Sequence, residues 1–409
     1  MSDVSNNTDI GYLQIKVTDE NGRPIENATA DISYLGDEEN ILEEVATDSD
    51  GKTPEVTLRT PPLEWSESPG ILQPYSEFSI VIRAGGYAPI AINGMDVFSG
   101  QLSFQPVNLR LTPQGSIISI GPHTLNGDYP PKIPESEIKP MPDRGEIVLD
   151  KVVVPEIIVV HDGVPSDSTA ADYYVFFSDY IKNVASCEIY PTWPEETLRA
   201  NIIAIISFTL NRVYTEWYRN KGYYFTITSS TAYDHKWING RNYFDSISYV
   251  VDDVFKNYVS RPNVKQPLLT QYCDGVRTTC SGMSQWGSKY LGDENYSAIE
   301  ILRNYYGDDV YINTADEVEG IPMSWPGSPL DIGSYGPAVR TIQEQLDSIR
   351  ATYSNIPYAT VDGIYGEQTA AAVRRFQNIF NLPETGVVDY RTWYRISQLY
   401  VALERLATF

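Results

Sequence analysis

The chain has 409 residues, 42% of them hydrophobic and 21% charged, with a formal net charge of −24. That length calls for two to four folding units of roughly 100–200 residues. So acidic a chain argues against nucleic acid as its main partner, because neutralising phosphate needs basic patches.

The N-terminus, MSDVSNNTDIGYLQ, has neither the basic nor the apolar region of a secretory signal, so synthesis in the cytoplasm without export is expected. No apolar run reaches the ~18 residues of a membrane span. From residue 10, YLQIKVTD and ATADISYL alternate apolar and polar residues around the turns ENGRPI and DSDGKT, and FSIVIRA and VNLRLTP follow. Alternation broken by turn residues predicts short strands and an all-β sandwich over residues 1–112. The stretch VTDENGRPIENA resembles the opening of the carboxypeptidase-regulatory or transthyretin-like sandwich. No cluster of chemistry-bearing residues stands out in it.

Pro113, Pro122, Pro130, Pro131, Pro134, Pro140 and Pro142 punctuate residues 113–151, which read as an extended linker. About 15 of the net negative charges fall before residue 151.

Residues 152–320 are the largest unit, mixed α/β, and begin at VVVPEIIVV. In SCEIYPTWPEETLRA, Ser186 to Ala200, Thr192 and Glu195 have the spacing of a capping box, which predicts a helix from near Trp193. Leu198, Ile202, Ile206, Leu210 and Trp217 follow at helical spacing with apolar neighbours, so that helix is expected to be buried. Glu188 then stands ahead of the cap in an aromatic bend. On its own it reads equally as a solvated loop acid or a partner of the helix dipole.

Farther on, Asp234, His235 and Lys236 lie among aromatics, as a polar loop or a groove wall. Ser284, Gln285 and Trp286 in GMSQWG suit a cleft lining or a structural turn. Cys273 and Cys280 are free to form a disulfide, to bind metal with His235, or to stay reduced; four ligands of standard spacing are not visible. Cys187 with His235 as base is a rival cysteine-peptidase reading without a supporting signature.

The last unit, residues 328–409, contains an internal echo, AVRTIQ at Ala338–Gln343 and AVRRFQ at Ala372–Gln377, each after a pair of glycines. Asp389 is a good N-cap for a third helix.

Three resemblances follow from these segments. Leu330, Gly333, Gly336, Val339, Gln343, Leu346, VDGIYGEQTAAAVRRFQ, Gly386 and Trp393 resemble the three-helix peptidoglycan-binding domain, which implies wall binding. SCEIYPTWPEETLRA is similar to the S-E-M-P-x-x-W-P-x-E-A-L-K-A-Q-A motif of the SpoIID/LytB family, and Cys280 to Gly307 is similar to its G-M-S-Q-x-G-A region. That family's enzymes are lytic transglycosylases. The resemblance implies Glu188 as catalytic acid; Tyr190, Trp193, Arg199, His235, Lys236, Ser284, Gln285 and Trp286 are the expected substrate-binding residues, and no metal or cofactor is expected. Tyr190 and Trp193 are expected to bury Glu188 and raise its pKa against the pull of the helix N-terminus. One departure stands out: the family's arginine is Ile206 here, with Arg199 or Arg212 as candidates to compensate.

The order of units resembles the SleC-type family of clostridial spore cortex-lytic enzyme precursors. It implies cortex glycan strands as substrate, a spore location, and activation by a subtilisin-like germination protease, with cleavage between Asp143 and Val154. The remaining alternative is a non-catalytic glycan binder that stimulates an amidase.

Overall fold

The computed structural model describes residues 8–134, 149–315, 317–320 and 325–406. Alternation along β1 (Asp9–Asp19) buries Leu13, Ile15 and Val17. β1 pairs antiparallel with β4 (Val56–Thr60) and parallel with β7 (Leu102–Leu109). The facing sheet has five strands, β2 (Thr29–Tyr34), β3 (Glu43–Ala46), β5 (Tyr75–Arg83), β6 (Ile90–Phe98) and β8 (Ser116–Ser119), ordered β3-β2-β5-β6-β8. Their inward side chains form one apolar core, the expected sandwich.

Two features were not expected. The first sheet gains a fourth strand from the middle of the chain, Tyr243–Phe244, antiparallel to β7. Beside it, Arg241 donates to Asp96 at 2.6 Å with both side chains fully buried. Burial pushes the Asp96 carboxyl up to about 6 against the pull of Arg241.

The second concerns the linker. Residues 113–134 are not a bare spacer: β8 pairs with β6, and Ile120, His123 and Leu125 are buried. Long-range pairing and burial override a proline-rich composition. Residues 135–148, with the first half of the expected cleavage window, lie outside the described residues.

The central unit has a three-stranded sheet, ordered Asp172–Phe176, Ile157–His161, Ile227–Thr228. Its helices are α1 (Phe177–Glu188), α2 (Glu195–Tyr214), α3 (Asp245–Val254), α4 (Gln285–Asp293) and α5 (Ala298–Tyr306). α2 is apolar on every side and is buried from Ile202 to Leu210, with α1, α3, α4 and α5 packed around it. The expected capping box does not form. α2 starts at Glu195 with Pro194 as N-cap, and the Thr192 hydroxyl donates to Ser66 in the sandwich at 2.8 Å.

The chain ends in three helices, α6 (Pro337–Arg350), α7 (Glu367–Ile379) and α8 (Tyr390–Leu406). The repeat seen in the sequence is a repeat of hydrogen bonds. Gln343 accepts from Gly363 N–H and donates to Thr369, while Gln377 accepts from Gly386 N–H and donates to Thr392. Asp389 caps α8, accepting from Thr392 N–H at 2.8 Å. The helical unit packs on the central one through Phe255 against Tyr390 and Tyr394, and on the sandwich through buried Lys16, whose ammonium lies 3.9 Å from the Phe380 ring centroid.

Candidate active site

Glu188 is the last residue of α1, not part of a bend; Ile189 N–H still bonds to Ala185 and the chain extends only after it. The local dipole is therefore the negative end of α1, which favours the neutral acid. Glu188 is 4% exposed. One carboxylate oxygen accepts from Lys236 N–H at 2.9 Å, the other from the Gln285 amide at 3.3 Å. Burial raises the Glu188 pKa; the Lys236 N–H, the Lys132 charge and Gln285 oppose it without cancelling it.

The fold brings α4 to this acid through its cap. Ser284 Oγ accepts from Gly287 N–H at 2.9 Å, which sets Gln285 as the first helical residue, facing inward. Gln285 donates to the Glu188 carbonyl at 3.2 Å as well as to the carboxylate. Its own Oε1 has no hydrogen-bond partner among the described residues.

The opposite wall is the loop from Thr228 to Lys236, held by Asp234. Asp234 accepts from Arg212 at 2.9 Å, from the Tyr218 hydroxyl at 2.6 Å and from Thr228 N–H at 3.0 Å, wholly out of solvent. This props the loop so that the Lys236 N–H points at Glu188. His235 is buried behind, its Nδ1 3.1 Å from the Tyr180 hydroxyl, and burial keeps it neutral by lowering its pKa.

The remaining expected residues are placed apart from the carboxyl. Tyr190, Trp193 and Trp286 form an aromatic cluster, with Trp193 and Trp286 centroids 5.0 Å apart, continued by Phe98 and His123 of the N-terminal part. Trp193 Nε1 donates to the Ser66 carbonyl, so these rings seal the sandwich against the central unit. Arg199 points outward to Asp253 and Glu195. Ile206 is core, and Arg212 stays inside the Asp234 network, stacked between Phe208 and Trp217.

Cys273 and Cys280 are joined in a disulfide. Cys187 is buried, its thiol pushed up to about 12 by burial, and its Sγ contacts Asn183. A thiol that holds its proton so firmly is a poor nucleophile. Among the described residues no group of three or more His, Cys, Asp or Glu is placed to hold a metal ion.

Sequence reasoning missed what lies over Glu188. The segment Gly121–Pro134 crosses the site, anchored on one side by His123 on the Ile189 carbonyl and on another by Arg277 on the Gly127 carbonyl. Ile133 N–H bonds to Ala232 O at 2.8 Å, and the Lys132 ammonium bonds to Asp234 O at 2.9 Å. Lys236 lies 5.0 Å from the Tyr129 ring centroid. Local composition marks these residues only as proline-rich, so no signal for the crossing was available.

Residues 335–396 match the family model described as "Putative peptidoglycan binding domain". The chain carries a peptidoglycan-binding module. That module is α6–α8, and peptidoglycan is its partner. No curated protein matches the chain. Among solved structures, the N-terminal domain of SleB is 26% identical over 19% of this chain and 99% of its own, with a TM-score of 0.17. The Bacillus anthracis TIE protein is 16% identical over 25% of this chain and 16% of its own, with a TM-score of 0.18. Catechol 1,2-dioxygenase from Pseudomonas arvilla C-1 is 14% identical over 28% and 56%, with a TM-score of 0.19. None of these likenesses extends to the chain as a whole. Among the described residues no helix is long and apolar enough to cross a membrane.

Proposed function

We propose that the protein is a lytic transglycosylase of spore cortex peptidoglycan, made as a proenzyme and activated when a subtilisin-like germination protease cuts it. The observation that carries this reading is Glu188, a buried carboxyl with a raised pKa, held by an amide N–H and a carboxamide, with the carboxylates of the flanking loops engaged elsewhere. Asp234 is bound up by Arg212, Tyr218 and Thr228, and Asp274 by the N–H groups of Val276, Arg277 and Thr278.

Hydrolysis by the usual route needs two carboxyl groups. Transfer within the sugar needs one. Glu188 gives its proton to the glycosidic oxygen, and the C1–O bond breaks with its electron pair going to that oxygen. The C6 hydroxyl of the muramic sugar then attacks C1 and returns its proton to Glu188. No water is consumed, and the product ends in a 1,6-anhydro ring. The peptidoglycan-binding module supports delivery to the wall, and the Gly121–Pro134 crossing supports the proenzyme half of the reading.

The test is to insert a protease site within residues 135–148, cut the purified chain, and identify the fragments released from cortex by mass spectrometry. Anhydromuramic ends from the cut form, and few from the uncut form, are expected. Reducing ends made by water, or free stem peptides, would overturn the transglycosylase reading. No cleavage with retained wall binding would favour the amidase-stimulating role, and equal rates would overturn the proenzyme.

A further inference from the structure

The covering segment brings a cation, Lys132, close enough for its charge to act on Glu188. The Lys132 ammonium lies 5.1 Å from the Phe208 ring centroid and 5.2 Å from that of Tyr272, within the range where an aromatic face attracts positive charge. Phe208 and Tyr272 are 0% and 3% exposed. Around them are buried polar atoms without hydrogen-bond partners among the described residues: Tyr272 Oη, His235 Nε2 and Gln285 Oε1. His235 stacks on Tyr272 with 5.6 Å between centroids, so two of these atoms belong to adjoining rings, and Gln285 donates to the Glu188 carboxylate. Buried polar groups are nearly always paired, and a cluster of exceptions marks a place built for something else.

A tether alone would need only the hydrogen bond to the Asp234 carbonyl. Two ring faces beside the ammonium, with the Glu188 carboxyl near enough to feel its charge, are the surroundings of a charge. Breaking a glycosidic bond creates one, because the sugar passes through an oxocarbenium-like state with positive charge spread over C1 and the ring oxygen.

We propose that Phe208, Tyr272 and Glu188 form the subsite that stabilises this charged sugar ring, and that Lys132 of the covering segment stands in for it. This rests on the transglycosylase reading. Tyr272 and Phe208 are then residues of the reaction site, which neither composition nor motif marks. The covering segment blocks the cleft by occupying the position of the transition-state charge as well as by bulk. The unpartnered atoms of Tyr272, His235 and Gln285 are left to meet the sugar's hydroxyl and N-acetyl groups.

The test uses the full uncut chain and, as probe, an iminosugar of N-acetylglucosamine shape protonated at its ring nitrogen, with the neutral lactam of the same shape as control. Calorimetry should show the Lys132→Met chain binding the cationic probe at least about tenfold more tightly than the parent chain, and more tightly than it binds the lactam. Adding Tyr272→Leu or Phe208→Leu should each cost about tenfold in that affinity. Melting temperatures accompany every variant, and if one of the two ring variants fails to fold the other decides. Equal affinity for cation and lactam, no gain from Lys132→Met, or no loss from a folded ring variant overturns the proposal. Binding as expected, with no anhydro product from the cut parent chain, would instead count against the transglycosylase reading while the cation site stood.

Discussion

Three buried glutamines, two in the helical tail and one beside Glu188, bond in different ways. In the helical tail, Gln343 and Gln377 each accept from a glycine N–H at 2.8 Å and donate to a carbonyl and a threonine. Gln285, as deeply buried, spends its donors on Glu188 and leaves its acceptor without a partner. The same side chain thus closes its hydrogen bonds in one place and leaves one open in the other.

The sharpest way to break this contrast is to remove the acid. Glu188→Gln should lower glycan cleavage by the cut chain at least ~100-fold, the lower end for general acid–base catalysis. Near-normal cleavage by a folded variant would remove Glu188 from the mechanism. The parent's rate should fall on the alkaline side as Glu188 loses its proton, at a pH above the ordinary carboxyl range.

Next come the glutamines themselves. Gln377→Leu strands Gly386 N–H and the Val387 carbonyl and should cost about 1–3 kcal/mol of stability, with turnover of soluble glycan unchanged. Gln285→Leu should do the reverse, lowering turnover about tenfold with a smaller stability loss. Urea melts and rates on soluble fragments, measured on both variants, decide; matching patterns would dissolve the distinction.

The same acid carries a stability signature. A carboxyl whose folded pKa is raised costs stability once the pH climbs past its unfolded value of about 4.3, and the cost grows until the folded pKa is reached. Glu188→Gln should therefore gain more melting temperature over the parent at pH 7 than at pH 4. A gain that is the same at both would show that burial does not strain this group.

The smallest effect belongs to the tail's surface. Deleting residues 328–409 would bare Phe255, so a point change is the cleaner probe. Tyr335, 84% exposed and bridged to Ile364, stands at the repeat's glycine turns. Tyr335→Ala should weaken pelleting with purified sacculi roughly fivefold, the worth of about one aromatic contact, without moving the melting temperature. Unchanged pelleting would place the wall-binding face elsewhere on α6–α8.

Much of the fold was legible because its signals are local. Alternation marks β1 and β5, the echo of AVRTIQ in AVRRFQ marks the paired glutamines, and Asp389 caps the helix it precedes. Of the candidate site, motif resemblance reached Glu188 and Gln285, and a polar run among aromatics marked Lys236; these three do meet. What stayed hidden depends on distant partners. Thr192 forgoes its capping box for Ser66, a proline-rich spacer finds β6, and Lys132 reaches Asp234 across about a hundred residues of chain. No window of sequence contains both ends of such a contact.

The strand Tyr243–Phe244 has a consequence for how the chain is made. The sandwich emerges from the ribosome long before the residues that close its first sheet, so β7 waits with a bare edge and Asp96 waits without Arg241. A central unit made alone would in turn carry Arg241 and Phe244 with nothing to cover them. The halves therefore complete one another in a single late step of high contact order, which is slow. During that interval the open edge of β7 is a template for a second copy of the chain. Yield of folded protein should fall as synthesis is crowded, and should recover when residues 1–134 are supplied separately to a chain that starts at 149.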